Sequence, residues 1–173
     1  MSQIPNVIKI DQKARTHDVG EQAMVYAARM RLQNAVDQVD ALDSIREIAG
    51  NLIGCEEVAV FKVDKKRSEL WLYWSFGVDP NKHSILDVQG EPNLKLALRG
   101  KPVFRTRLPH QNLLNSDDPV NALIPIVVNS VVCAVIVLFR LFPHKPGIEA
   151  VDREICDVLS NCSSRAIEPH HSR

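Results

Sequence analysis

The stretch from Val120 to Leu141, VNALIPIVVNSVVCAVIVLFRL, decides the fold class. It is a long apolar run interrupted by Pro125 and by the polar pair Asn129-Ser130. The pair makes its middle too polar for one membrane-crossing helix, so the run reads as two β-strands folded back on each other. Asn tolerates the left-handed backbone of a tight hairpin turn, which puts the turn at Asn129-Ser130. The second arm, Val131 to Phe139, is apolar at every position, so both faces of that strand have to be covered. Such a strand lies mid-sheet, with helices on one side and a second layer on the other. The expected class is a small α/β sandwich in which one layer encloses a pocket.

The totals agree with this reading. A chain of 173 residues suits one domain with an extra element. Lys and Arg together number 21, as do Asp and Glu, so the net charge is zero. That balance argues against bulk nucleic-acid or anionic-membrane binding, which needs an excess of basic residues. The N-terminus has no apolar core of secretory length, and no uninterrupted run reaches transmembrane length. The four cysteines, Cys55, Cys133, Cys156 and Cys162, form no CxxC. A cytoplasmic setting with reduced thiols is the expectation.

Residues 1–20, with Pro5 and Gly20, read as a loose arm. From Glu21 a helical seam begins: Val25, Ala28, Leu32, Ala35, Val39 and Leu42 step by three and four. A second stripe, Ile45, Ile48 and Leu52, continues at helical spacing, with a capping-box pattern at Ser44-Ile45-Arg46-Glu47. Residues 21–53 read as one long helix or two nearly collinear ones, ended by Gly54. EVAVFKVD (57–64) and LWLYWSFG (70–77) are strands, joined by the hairpin turn KKRSE. Residues 78–92 are loop with a short strand at 85–88, and 93–99 form a short helix stopped by Gly100. Residues 101–106 form a strand with Pro102 near its start, hence at an edge. Residues 107–119 are irregular. After the hairpin, a last helix carries the stripe Ile148, Val151, Ile155, Val158, Cys162 and Ala166, leaving 169–173 as tail.

In this order of elements the chain resembles a GAF domain, a sensor fold close to PAS, over residues 40–168. The resemblance rests on EVAVFKVD with LWLYWSFG, on LKLALRGKPVFRT, and on LIPIVVNSVVCAVIVLFRL. Gly100-Lys101-Pro102-Val103 fits the helix-ending Gly before a Pro-Val strand, and Ile124-Pro125-Ile126 fits the later Val-Pro-Leu strand. Cys133 replaces a small Gly in the third motif. The resemblance implies an α+β fold with a central antiparallel sheet of five to six strands. It places the N- and C-terminal helices on one face and short helices and loops from 78–119 on the other, over a small-molecule pocket. The GAF-like domain then spans 44–168, and residues 21–43 form a helix for dimerisation or partner contact.

No GxGxxG, P-loop, HExxH, CxxC or GxSxG is present. One GAF-type enzyme, the free methionine sulfoxide reductase, uses cysteines on loops over its pocket, but here loops 78–92 and 107–119 contain none. The chain is therefore expected to be non-catalytic, with its thiols acting as small hydrophobes. His83 and His110 fall in the two pocket loops and are candidate ligand contacts, although a solvated loop histidine is the plainer reading. Asn81-Lys82 matches the start of a cyclic-nucleotide motif whose later Asp-Glu pair is missing. Between Glu91 and Asp117 lie Lys95, Arg99, Lys101, Arg105 and Arg107 with no acidic residue. Arg105 and Arg107 are the candidate contacts for a carboxylate or phosphate, which Arg grips bidentately. Trp71 and Trp74 are read as pointing to opposite faces of one strand.

The expected function is a regulatory or sensory module in signal transduction, binding an anionic small molecule, a separate signalling protein, or both. The alternative is an interaction domain with no ligand. No cofactor follows from the residues. Homodimerisation is expected through the seam Val25, Ala28, Leu32, Ala35, Val39 and Leu42, which a lone GAF domain leaves exposed.

Overall fold

The turn at Asn129-Ser130 has both residues in the left-handed region, at φ 50° and 64°, the combination that a two-residue hairpin with native twist requires. Around it a computed structural model describes residues 6–89, 91–104 and 120–168, with side chains of the first helix from His17 onward. The strands are β1 (Val58–Asp64), β2 (Glu69–Phe76), β3 (Ile85–Asp87), β4 (Val103–Phe104), β5 (Ala122–Val128) and β6 (Val131–Leu138). They form one six-stranded sheet in the order β3-β2-β1-β6-β5-β4, antiparallel at every junction. β6 is central, as its unbroken apolar sequence requires, and β4 forms an edge, as Pro102 indicates.

The helices are α1 (Asn6–Gln33), α2 (Gln38–Glu47), α3 (Pro92–Ala97) and α4 (Ala150–Cys162). A π-helical segment, Ile48–Ile53, prolongs α2 and ends at Gly54, whose φ of 82° closes it in the left-handed conformation. On one face α1, α2 and α4 cover the even-numbered residues of β5, β6 and β1, such as Ile124, Ile136 and Val60. On the other, α3 and its neighbours cover the alternate positions, including Leu123, Val135, Val137 and Phe61. The arrangement is α+β, with long terminal helices on one face of the sheet and a short helix on the other. Ser160 Oγ donates to the Pro125 carbonyl at 2.6 Å and fixes α4 on β5.

Several expectations are corrected. The first helix starts at Asn6 rather than Glu21, so residues 6–20 are helical and not a loose arm. The helices part at Asn34–Asp37. α2 starts at Asp37, whose side chain accepts from the Asp40 amide, whereas Ser44 donates to the Asp40 carbonyl within the helix. The expected capping box at Ser44 is therefore absent. Trp71 and Trp74 do not face opposite ways: the ladder runs Val60↔Trp74 and Phe61↔Leu72, so an extra residue, Tyr73, is inserted between them. Trp74 follows Val60 and Trp71 follows Lys62, both toward the side of the long helices. Trp74 packs on that core, while Trp71 lies beyond the helices and is 39% exposed.

Candidate functional site

The layer under α3 is where the resemblance locates a pocket. Among the described residues its middle is filled by Phe61, Leu70, Leu94, Leu123 and Val135, all buried. His83 is not a solvated loop residue. It is 3% exposed, with its ring 4.9 Å from that of Phe139, at the C-terminal end of β6. Burial of His83 depends on a strand far away in sequence, so no local signal announced it. Glu91 is buried as well; its carboxylate accepts from the Asn93 amide and caps α3. Arg105, Arg107 and His110 lie outside the described residues.

At the opposite end of this layer is a cavity of about 690 Å³, bordered by Val63, Lys65, Glu69, Leu98, Arg99 and Val132. It lies beside Ser130 and Val131, at the start of β6. Eight residue steps separate Val131 from Phe139, roughly 25 Å along a strand. His83 and the cavity are thus at different ends of the sheet, and the structure does not bring them together. Of the acid-free basic stretch, Arg99 reaches the cavity. Lys95, Arg99 and Lys101 are exposed and form no ion pair among the described residues. Lys65 and Glu69, which the sequence marked only as part of a hairpin turn, also border it.

The thiols occupy structural positions. Cys55 is buried at an isolated bridge to Leu141, and its Sγ donates to the Glu57 and Arg140 carbonyls. Burial pushes its pKa up to about 11, against the opposing effect of the backbone hydrogen bonds. Cys156 sits inside α4, and burial raises its pKa further still. Neither is a thiolate at neutral pH. Cys133 is half-buried on β6, its Sγ 3.6 Å from the Val131 carbonyl, and Cys162 packs against the helix-side core. Among the described residues, no group of three or more His, Cys, Asp or Glu is placed to hold a metal ion, and no helix is long and apolar enough to cross a membrane.

The helical seam assigned to dimerisation is placed differently. Ala28, Leu32, Ala35 and Leu42 are buried within the chain and Val25 is half-buried, because α1 lies against α4 and the break before α2 folds the seam inward. Val39 alone of the six is exposed, at 61%. Arg31 fastens the elbow, binding Glu47 at 2.7 Å and Asp40 at 2.9 Å. Hydrogen bonding and charge from Arg31 hold the Glu47 carboxyl below its usual range; Asp40 is lowered first by the Val36 amide and then by Arg31. The far end of the chain closes the same junction: Gln38 donates to the carbonyls of Ala166 and Glu168, and Arg165 to that of Ala35.

No family model matches this sequence, and no curated protein matches it. Solved structures do match in fold. The GAF domain of a phosphoenolpyruvate-protein phosphotransferase from Acinetobacter is 17% identical, covers 84% of this chain and 93% of its own, and superposes with a TM-score of 0.58. A free methionine-R-sulfoxide reductase from Neisseria meningitidis, in complex with its substrate, is 12% identical over 84% of this chain and 89% of its own, at a TM-score of 0.60. The GAF domain of a two-component sensor histidine kinase from Bacillus halodurans is 12% identical over 70% of this chain and 90% of its own, at 0.51. Together with the sheet order and the two unequal layers, these likenesses show that the chain has a GAF-like fold.

Proposed function

We propose that this chain is a non-catalytic regulatory module in signal transduction. It takes a small anionic effector or a partner protein on its sheet and relays the event through its terminal helices. The observation that carries the reading is the closure of the C-terminal segment on the α1–α2 junction. Gln38 holds the Ala166 and Glu168 carbonyls, Arg165 holds that of Ala35, and Arg31 ties α1 to α2. A shift of the sheet that moves α4 must move the α1–α2 elbow with it. The sensor histidine kinase among the structural neighbours supports the same class. The anionic preference rests on the basic stretch from Lys95 to Arg107. Thermal-shift screening of nucleotides and carboxylate metabolites is expected to favour anions, with the shift lost in Arg105→Ala or Arg107→Ala. A neutral hit indifferent to both substitutions refutes the preference.

A reductase is the reading that the Neisseria neighbour raises. The raised pKa values of Cys55 and Cys156 weigh against it. Free methionine sulfoxide turnover that disappears in Cys133→Ser would overturn the non-catalytic reading. We further propose that two copies pair across the surface of α1 and its elbow, where Val19, Tyr26, Val36 and Val39 are exposed. Light scattering over a concentration series tests this.

A further inference from the structure

The two central hairpins part before they end. β1 and β6 pair from Val58↔Leu138 to Lys62↔Ala134 and no further. Yet β1 continues to Asp64 against β2, and β6 begins at Val131 against β5. The cause is local. Ile126 pairs with Ala134 and Val127 with Val132, so Cys133 is an extra residue in β6, and such a bulge bends and twists its strand. Val63–Asp64 on one side and Val131–Cys133 on the other thus face a cleft with no ladder partner across it. Its mouth toward α3 is the cavity of about 690 Å³, and the mouth toward the long helices measures about 570 Å³. Val63, Asp64, Lys65 and Val132 border both.

Cations outnumber carboxylates along the walls. Lys62, Lys65 and Lys66 border the helix-side mouth with Trp71, and Arg99 borders the other. None of these four cations forms an ion pair among the described residues. The carboxylate they share, Asp64, is engaged: Oδ1 accepts from the amides of Lys66 and Arg67, and Oδ2 lies 3.9 Å from Arg67. Asp64 and Glu69 balance Lys65 and Arg99 at the α3-side mouth, so the net positive charge lies at the helix-side mouth. Between the cations the surface is apolar, from Val63, Val132 and the exposed Trp71.

We infer that this cleft receives an extended acidic segment of a partner protein, with carboxylates alternating with aliphatic side chains. An extended chain supplies the backbone groups that the two unpaired strand edges lack. Its alternation sends carboxylates to the lysines and aliphatic residues to Val63 and Val132. A single-stranded nucleic acid also seeks cations beside aromatic rings, but it stacks its bases on ring faces. Here Lys62 lies 3.8 Å from the Tyr73 ring centre and Arg67 5.8 Å from that of Trp71, so each ring already carries a cation over a face. The peptide is the better match. The inference does not depend on the anionic effector, whose test uses Arg105 and Arg107 and none of these residues.

The test is fluorescence anisotropy on the full chain. The probe is a fluorescein-labelled peptide of alternating Glu and Val, about ten residues long, compared with its Gln-Val isostere and with labelled oligo(dT). The Glu peptide should bind, weaken as salt rises, and quench tryptophan fluorescence. The Gln isostere should bind at least about tenfold more weakly, and Lys65→Glu with Lys66→Glu should cost the Glu peptide a similar factor. Both lysines are exposed on a turn, so an unchanged melting temperature will show that the variant is folded. Trp71→Ala should weaken binding by roughly tenfold as well. No binding of the Glu peptide, equal binding of its isostere, or indifference to the lysine substitutions overturns the inference. Tighter binding of oligo(dT) overturns it in favour of a nucleic acid. Self-association abolished by the same lysine substitutions overturns it in favour of a second copy of this chain.

Discussion

Leu32 and Val39 belong to one seam in the sequence but to opposite environments in the fold, and their substitutions should separate protomer stability from association. Leu32 is 3% exposed within the core shared by α1, α4 and the sheet. Truncating a buried leucine removes its transfer free energy and leaves a cavity, together about 2–5 kcal/mol. The site is near the end of α1 and flanked by the small Ala28 and Ala35, so partial collapse puts Leu32→Ala toward the lower end, about 2.5 kcal/mol. At this chain length that corresponds to a melting temperature lower by roughly 5–10 °C. Val39 is 61% exposed, and Val39→Ala should stay within about 0.5 kcal/mol. Urea denaturation with matched m-values gives both numbers. Melting at two protein concentrations about a hundredfold apart adds the decisive distinction, because stability drawn from association varies with concentration. The Leu32→Ala loss should be the same at both. If it appears only at the higher concentration, or if Val39→Ala costs more than Leu32→Ala, the seam works between copies and the packing argument fails. Any association through the elbow should instead be weakened by Val39→Asp.

Other substitutions probe single features. Ser130 holds φ at 64° in the hairpin turn, so Ser130→Gly should stabilise by about 0.5–1 kcal/mol in chemical denaturation by removing a strained side chain. Asp152 is fully buried and its Oδ2 lies 2.8 Å from Lys145 Nζ, so Lys145→Met should cost about 3 kcal/mol by leaving a buried carboxylate unpaired, and adding Asp152→Asn should recover part of that loss. Asp40 and Glu47 have folded pKa values below their ordinary ones. Their contribution is therefore full above the unfolded carboxyl range near pH 4 and fades as pH falls through the lower folded values. Arg31→Met should flatten the acid limb of a stability–pH curve without changing its shape above about pH 6.

Much of the architecture could be read from local patterns because those patterns satisfy themselves locally. The turn at Asn129-Ser130, the stops at Gly54 and Gly100, and the edge position of the strand after Pro102 all follow from backbone preferences of single residues. The apolar run Val131–Phe139 gave the central strand because nothing but a doubly covered position suits it. The misreadings arise where pairing or packing intervenes. Tyr73 and Cys133 are bulge residues, and a bulge depends on the register of a neighbouring strand. The inserted Tyr73 brings Trp71 and Trp74 to one side. The seam from Val25 to Leu42 has helical spacing throughout, but Asp37 caps a new helix inside it. Past that break the stripe turns, so Leu42 goes inward and Val39 outward. Of the candidate site, the basic stretch was legible as charge, whereas the burial of His83 against Phe139 and the hairpin cleft both require contacts between distant segments.

β6 is the element in which these features meet. Ala134, Ile136 and Leu138 point into the helix-side core, while Val135, Val137 and Phe139 belong to the layer under α3. Both cores are close-packed against the same strand, and packed interiors pass on displacement rather than absorb it. The start of β6 borders the cleft, its end carries Phe139 beneath His83, and its neighbour β5 is held to α4 by the Ser160–Pro125 hydrogen bond. An occupant that straightened the bulge at Cys133 would alter the register of β5 against β6. That change reaches α4 through Pro125, and from α4 the elbow at Ala35 through Arg165. Ser160→Ala should therefore uncouple peptide binding at the cleft from hydrogen-exchange protection at the α1–α2 elbow while leaving the binding itself intact. If protection at the elbow still responds fully to the peptide in that variant, coupling does not run through Ser160.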